Sequence, residues 1–187
     1  WPLKSGKAAT LLSLFAAAPA LATGIDITVT GEANGVTSID LFEDVAPGHV
    51  ERITTLAETG QYNGVVFHRV IEGFMAQTGD VQFGQIDGYD ARQAGRGGSD
   101  MGNLPAEFSE ITFDRGVVGM ARSNDPDSAN SQFFIMFAPG PFLDGQYTVV
   151  GEVTSGLEVL DAIKRGNRQS GAITGAPDMM SNVSVTE

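Results

Sequence analysis

Short runs of β-branched and aromatic residues, each closed off by glycine, recur along this chain and leave little room for long helices. Ile25-Asp26-Ile27-Thr28-Val29-Thr30 alternates apolar and polar residues, and Gly35 to Phe42 does so again after Asn34-Gly35, which predicts a β-hairpin. Val65 to Val70, Val117 to Ala121, Gln132 to Phe137 and Thr148 to Val153 predict further strands. Asn182 to Thr186 alternates once more and suits pairing with the first strand. Two segments depart from this pattern. Between Ala46-Pro47-Gly48 and Gly60, Val50, Ile53 and Leu56 fall at helical spacing, with a proline at the start. Ser155-Gly156-Leu157-Glu158 has the form of a capping box, and Leu157, Leu160 and Ile163 then run to Lys164-Arg165-Gly166, which predicts a second helix. About eight strands and two helices without βαβ alternation predict a mainly β fold, a largely antiparallel closed barrel with helices over its ends. The bulky strand residues imply a filled barrel, not one that holds a ligand inside.

Cysteine is absent and the histidines are His49 and His68, which removes disulfides, thiol nucleophiles and Cys/His zinc sites from consideration. A net charge of −12 with 11 Lys and Arg argues against nucleic acid, whose affinity depends on clustered cations. The N-terminus reads as a secretory signal peptide: Lys4 and Lys7, the apolar stretch Ala8 to Ala18, then Pro19 and Ala20-Leu21-Ala22 as a small-x-small cleavage site. The expected division is therefore a signal peptide over residues 1–22 and one domain over residues 23–187, with no stable membrane insertion after cleavage. Within the domain, the Gly79 to Asn103 segment is the least regular, and loops of such length are commonly functional.

Three places combine residues that suit a binding groove. In Phe67-His68-Arg69 followed by Gly73-Phe74-Met75-Ala76-Gln77, a fixed cation precedes an aromatic, a thioether and an amide. Spacing alone favours the plainer reading, in which Arg69 is solvated and Phe74 and Met75 are core. Gly119-Met120-Ala121-Arg122 leads through a polar turn to Gln132-Phe133-Phe134, which sets an amide and an aromatic on one strand face. That Asp-rich turn lacks the spacing and closing Glu of an EF-hand, so it is read as solvated. In Pro141-Phe142-Leu143-Asp144-Gly145-Gln146-Tyr147, an apolar pair precedes a turn and a phenol follows it. No Gly-x-Ser-x-Gly elbow or phosphate loop is present, and His68 is read as a structural side chain turned away from Arg69.

Taken together and in this order, these segments resemble the cyclophilin-type peptidyl-prolyl isomerases. The likeness rests on Phe67-His68-Arg69-Val70-Ile71-x-Gly73-Phe74-Met75-x-Gln77-x-Gly79-Asp80, Gly119-Met120-Ala121-Arg122, Ser128 to Ile135 and Phe142-Leu143-Asp144-Gly145, and it extends from about Ile25 to Gly166. It implies an eight-stranded antiparallel closed barrel capped by two α-helices, with an outer groove for proline-containing peptides and no cofactor. It also implies that Arg69 is the catalytic arginine and that Phe74, Met75, Phe134 and Leu143 wall the proline pocket. Gln77 and Gln132 would hydrogen-bond in the groove, Ala121 and Arg122 would line the peptide side, and Gly95 would fill the usual glycine position. Arg122, Phe142 and Tyr147 stand where the familiar eukaryotic pattern has Asn, Trp and His. Those replacements resemble bacterial cyclophilins, which implies weak cyclosporin binding and, with the signal segment, a periplasmic protein acting on unfolded or newly exported chains. A non-catalytic holdase using the same groove is the alternative, and the intact set of Arg69, Gln77 and Phe134 argues against it.

Overall fold

The computed structural model describes residues 22–187, so the signal segment expected over residues 1–22 lies outside the described residues except for Ala22. The elements run β1 (Gly24–Thr30), β2 (Gly35–Leu41), α1 (Pro47–Glu58), β3 (Val65–Val66), β4 (Arg69–Ile71), β5 (Met75–Thr78), β6 (Val117–Met120), β7 (Phe133–Met136), β8 (Val149–Ser155), α2 (Leu157–Asp161) and β9 (Met179–Thr186). All nine strands join one antiparallel sheet in the order β3-β9-β1-β2-β8-β6-β7-β5-β4. The expected β1–β2 hairpin is present, and β9 pairs with β1 as its alternation suggested.

The expectation of a closed eight-stranded barrel is corrected: the sheet has nine strands and is curled but open. Its two edge strands, β3 and β4, are consecutive in the chain and separated by Phe67-His68, which bends the sheet until its edges approach. They do not pair, because other segments take their edge groups. Val66 N–H donates to Gly84 O and Val65 bridges to Gln85, while Val70 N–H donates to Gly171 O and Val70 O accepts from Gly166 N–H. Loops thus cover both edges, which removes the need for ladder closure.

Two further expectations shift. The run from Val65 to Val70 divides at Phe67-His68 into two short strands, and the Met75–Thr78 segment forms a strand of its own. Helix α2 is a single turn and a half, and no capping box forms. Ser155 belongs to β8, and Gly156 takes the cap position with a left-handed backbone (φ 79°); a Cβ there would lie 2.0 Å from Val36 O. Helix α1 begins at Pro47 as expected and turns His49, Val50, Ile53, Leu56 and Ala57 into the core. Its first turn is held by Glu107, whose carboxylate accepts the His49 backbone N–H and pairs with the His49 ring at 2.5 Å.

The period-two alternation of the strands divides the apolar residues between two clusters. Ile25, Ile27, Ile39, Val70, Ala76, Phe133 and Ile135 enter the main core inside the curl. Ile71, Met75, Phe134 and Met136, from the alternate positions of β4, β5 and β7, join Phe113, Val117, Leu143 and Val149 in a second cluster on the other face. That second cluster is the floor on which the candidate site is built.

Candidate active site

Register places four side-chain positions in one row across the outer face. Arg69 of β4 lies opposite Gln77 of β5, Gln77 opposite Phe134 of β7, and Phe134 opposite Gly119 of β6. Cross-strand neighbours in such a row lie within side-chain reach. The row therefore brings a cation, an amide and an aromatic ring side by side, although their residues are up to 65 positions apart in sequence. Glycine at its fourth position matters, because a Cβ on Gly119 would lie 2.6 Å from both Phe113 Cε1 and Phe134 Cζ. Space left by the missing side chain is filled by these two rings, stacked with centroids 5.7 Å apart.

A cavity of about 400 Å³ opens above the row. Arg69, Phe74, Met75, Gln77, Phe134 and Leu143 line it, and Gly95, Ala121, Arg122 and Tyr147 complete its rim. Gln132 does not border this cavity; it lines a smaller neighbour of about 220 Å³ that shares Gln77, Gly95, Arg96, Ala121 and Arg122 with the first. Phe142 lines neither and is 69% exposed, with its ring 5.5 Å from that of Phe74. It extends the apolar lip and does not form a wall.

One chain of hydrogen bonds fixes the polar groups. Arg69 Nη1 donates to Gln77 Oε1 at 3.1 Å, Gln77 Nε2 to Gln132 Oε1 at 3.0 Å, and Gln132 Nε2 to the carbonyls of Gly95 (3.0 Å) and Gly97 (2.9 Å). Beyond them, Asp80 is fully buried and accepts the backbone N–H groups of Gly95, Gly97, Gln82 and Phe83 at 2.8–3.1 Å. This carboxylate organises the irregular Gly79 to Asn103 loop and sets Gly95 at the rim. Arg69 is held a second time by Nε donating to Ser170 O at 3.1 Å. Its Nη2 has no hydrogen-bond partner among the described residues, which leaves donors for a ligand. Burial lowers the Arg69 guanidinium from its ordinary value and the Tyr147 phenol opposes that shift, but a guanidinium remains protonated.

The aromatic wall is braced from behind. Tyr147 meets Phe134 edge to face at 5.8 Å, and the Arg122 guanidinium lies 4.4 Å from the Tyr147 ring centre while donating to Gln146 O. His68 is buried behind Gly95, where a Cβ on the glycine would lie 3.1 Å from its Nε2. It borders the cavity. Neither ring nitrogen has a partner, and burial depresses its pKa to about 4, with Asp80 opposing and Arg69 reinforcing the shift. The ring is neutral at pH 7.

Sequence reasoning did not assign Phe113, Asp80 or Gly119 to the site. Phe113 lies in a segment without periodicity, tied down by its N–H donating to Asp144 at 2.8 Å, so no local pattern marks it. Asp80 and Gly119 stand inside the quoted motifs, and the signal that could have found them was an acid following a strand and a glycine within one.

Comparison with known proteins gives the family. The family model for cyclophilin type peptidyl-prolyl cis-trans isomerases matches residues 25–185. A probable peptidyl-prolyl cis-trans isomerase of Brucella suis is 58% identical over 146 residues, covering 78% of this chain and 74% of that protein. A peptidyl-prolyl cis-trans isomerase-like protein of Aspergillus oryzae is 39% identical over 131 residues, covering 67% and 74%. Among solved structures, a cyclophilin-type isomerase of Cryptosporidium parvum superposes with a TM-score of 0.73 at 25% identity over 89% of this chain and 99% of that one. A second structure of it, in the presence of the dipeptide Ala-Pro, has a TM-score of 0.72 at 24% identity and covers 88% and 99%. A cyclophilin of Hirschia baltica gives 0.70 at 27%, covering 86% and 72%. This chain belongs to the cyclophilin-type peptidyl-prolyl cis-trans isomerases.

Proposed function

We propose that the cavity isomerises Xaa-Pro bonds in unfolded or newly exported proteins, with Arg69 as the catalytic residue. The observation that carries this reading is the Arg69–Gln77–Phe134 row, which sets a pinned guanidinium beside an apolar pocket. Rotation about a prolyl peptide bond is opposed by amide resonance with a barrier of about 18–20 kcal/mol, and no bond to be rotated is broken. The reaction therefore asks for stronger binding of the twisted amide than of the planar one. As the bond twists, the prolyl nitrogen regains its lone pair, and a donor beside it gains an interaction absent from the planar state. Arg69 would supply that donor. One charge-assisted hydrogen bond contributes about 1.5–3 kcal/mol, or roughly ten- to a hundredfold in rate, so the pocket must supply the remainder. Phe74, Met75, Phe134 and Leu143 would hold the pyrrolidine ring and exclude water, while Gln77 and Gln132 orient the peptide on either side of the bond.

The setting belongs to the same proposal. The signal-like segment supports export, the replacements at Arg122, Phe142 and Tyr147 support a bacterial periplasmic enzyme, and the same replacements support weak cyclosporin binding. Expression of the whole chain in a Gram-negative host tests this directly. The expected product is found in the periplasm, begins at Thr23, and accelerates a proline-limited refolding reaction. An intact N-terminus on a cytoplasmic product would overturn the export reading, and unaltered refolding would overturn the role in folding.

A further inference from the structure

The groove differs in charge from the chain that carries it. Asp and Glu outnumber Lys and Arg by 23 to 11, yet no acidic residue lines the proline cavity or its smaller neighbour. Three arginines do: Arg69, Arg96 and Arg122. Of the other five arginines, three pair with acids, Arg92 with Asp90, Arg115 with Asp161 and Arg165 with Glu72, while Arg52 donates to the backbone carbonyls of Asn130 and Gly102. None of the three groove arginines has a carboxylate partner among the described residues. Arg69 and Arg122 bond to neutral groups, Gln77 and backbone carbonyls, and Asp80 behind the wall is occupied by four backbone N–H groups. Neutral acceptors fix the direction of a guanidinium without cancelling its charge.

Two of the three arginines extend this charge into the smaller cavity. Arg96 and Arg122 stand on both cavities, and the other side chains of the smaller one are uncharged and, Ala121 apart, polar, among them Ser123, Ser128, Asn130 and Gln132. Its volume of about 220 Å³ has room for one side chain. We propose that Arg96 and Arg122 are specificity-determining residues that make this cavity a receptor for a carboxylate side chain within two residues of the isomerised bond, so that the enzyme prefers acidic segments around Xaa-Pro. This rests on the isomerase site proposed above and names the substrate class that the site favours. A groove of one sign concentrates the opposite sign near it, even on a chain whose total charge is negative.

Blocked hexapeptides with a central Ala-Pro bond test the inference, with Glu, Gln or Lys placed either before the alanine or after the proline. At low ionic strength the Glu peptide should exceed its Gln counterpart in kcat/KM by about three- to tenfold at one of the two positions, the range between an exposed ion pair and a charge-assisted hydrogen bond. Lys should fall below Gln. The ratio should approach one in 1 M salt, where the screening length is about 3 Å, and should fall by half or more in Arg96→Gln and in Arg122→Gln. A Glu-to-Gln ratio of one at both positions, in a wild type that turns over the Gln peptides, overturns the preference and leaves the isomerase reading intact. If no peptide is isomerised, the isomerase reading fails, and the same pairs compared by Kd in calorimetry still decide the preference: equal Kd for Glu and Gln overturns it.

Discussion

Replacing Gly119 by alanine adds one methyl group beneath the aromatic wall of the proline pocket. That methyl would stand 2.6 Å from Phe113 Cε1 and 2.6 Å from Phe134 Cζ, whereas carbon atoms rest about 3.5–4.0 Å apart. Both rings must therefore retreat by about 1 Å. Neither has an easy path, since Phe113 is 1% and Phe134 5% exposed and Tyr147 stands edge-on against Phe134. Overpacking of this kind costs about 1–3 kcal/mol, which lowers Tm by about 2–4 °C per kcal/mol in a domain of this size. Displacing a substrate-positioning wall by about 1 Å costs up to about a hundredfold in rate, so kcat/KM on a neutral Ala-Pro peptide should fall ten- to a hundredfold. Gly102→Ala is the control, because a Cβ there meets nothing within 4 Å. Thermal unfolding and cis-to-trans kinetics on both variants supply the comparison. Unchanged kcat/KM in Gly119→Ala, with Tm lowered, would refute the claim that the β4–β5–β7–β6 row sets the pocket.

Asp80→Asn should keep two of the four loop contacts and turn an amide N–H₂ toward the other two N–H groups. Loss of two charge-assisted hydrogen bonds, relieved by loop relaxation, corresponds to about 3 kcal/mol by urea unfolding, with faster amide exchange at Gly95 and Gly97. Tyr62 is fully buried, its pKa is raised by burial with Arg52 opposing, and its hydroxyl donates to Ser131 O at 2.7 Å. Tyr62→Phe should cost about 1–2 kcal/mol with the pocket residues unmoved in their chemical shifts. His68 has a folded pKa of about 4 against 6.5 unfolded, so it contributes stability that is complete above pH 6.5 and is lost as pH falls toward 4. That loss is about 3 kcal/mol. His68→Gln should flatten the pH dependence of unfolding free energy between pH 6.5 and 4, and an unchanged profile would reject the assignment.

Alternation made much of the site legible in advance. Val70 beside Arg69, Ala76 beside Gln77, and Phe133 and Ile135 beside Phe134 all enter the main core, so the period of two puts Arg69, Gln77 and Phe134 on the opposite face. Their meeting was not legible, because register across β4, β5, β7 and β6 depends on pairings between distant segments. Met75–Thr78 is too short to show its own strand pattern, and the two-residue break at Phe67-His68 hid the exchange between sheet edges. The closed barrel failed for a related reason: counting strands says nothing about which loop will satisfy an edge. At α2, the sequence Ser155 to Glu158 satisfied a helix-start rule, but sheet pairing of β8 with β2 as far as Ser155 prevailed over it. The loop after Gly79 reads as irregular, and its organisation by the buried Asp80 carboxylate joins N–H groups of Gln82 and Phe83 to those of Gly95 and Gly97, a spacing that no local pattern marks.

The account depends most on Arg69. Cis-to-trans conversion of a neutral Ala-Pro peptide, followed by exchange NMR for purified residues 23–187 and for Arg69→Ala, measures that dependence without a coupled protease. Strong acceleration by the wild type, a loss of about ten- to a hundredfold in Arg69→Ala, and unaltered far-UV circular dichroism are expected. Equal rates from two folded proteins would contradict the account.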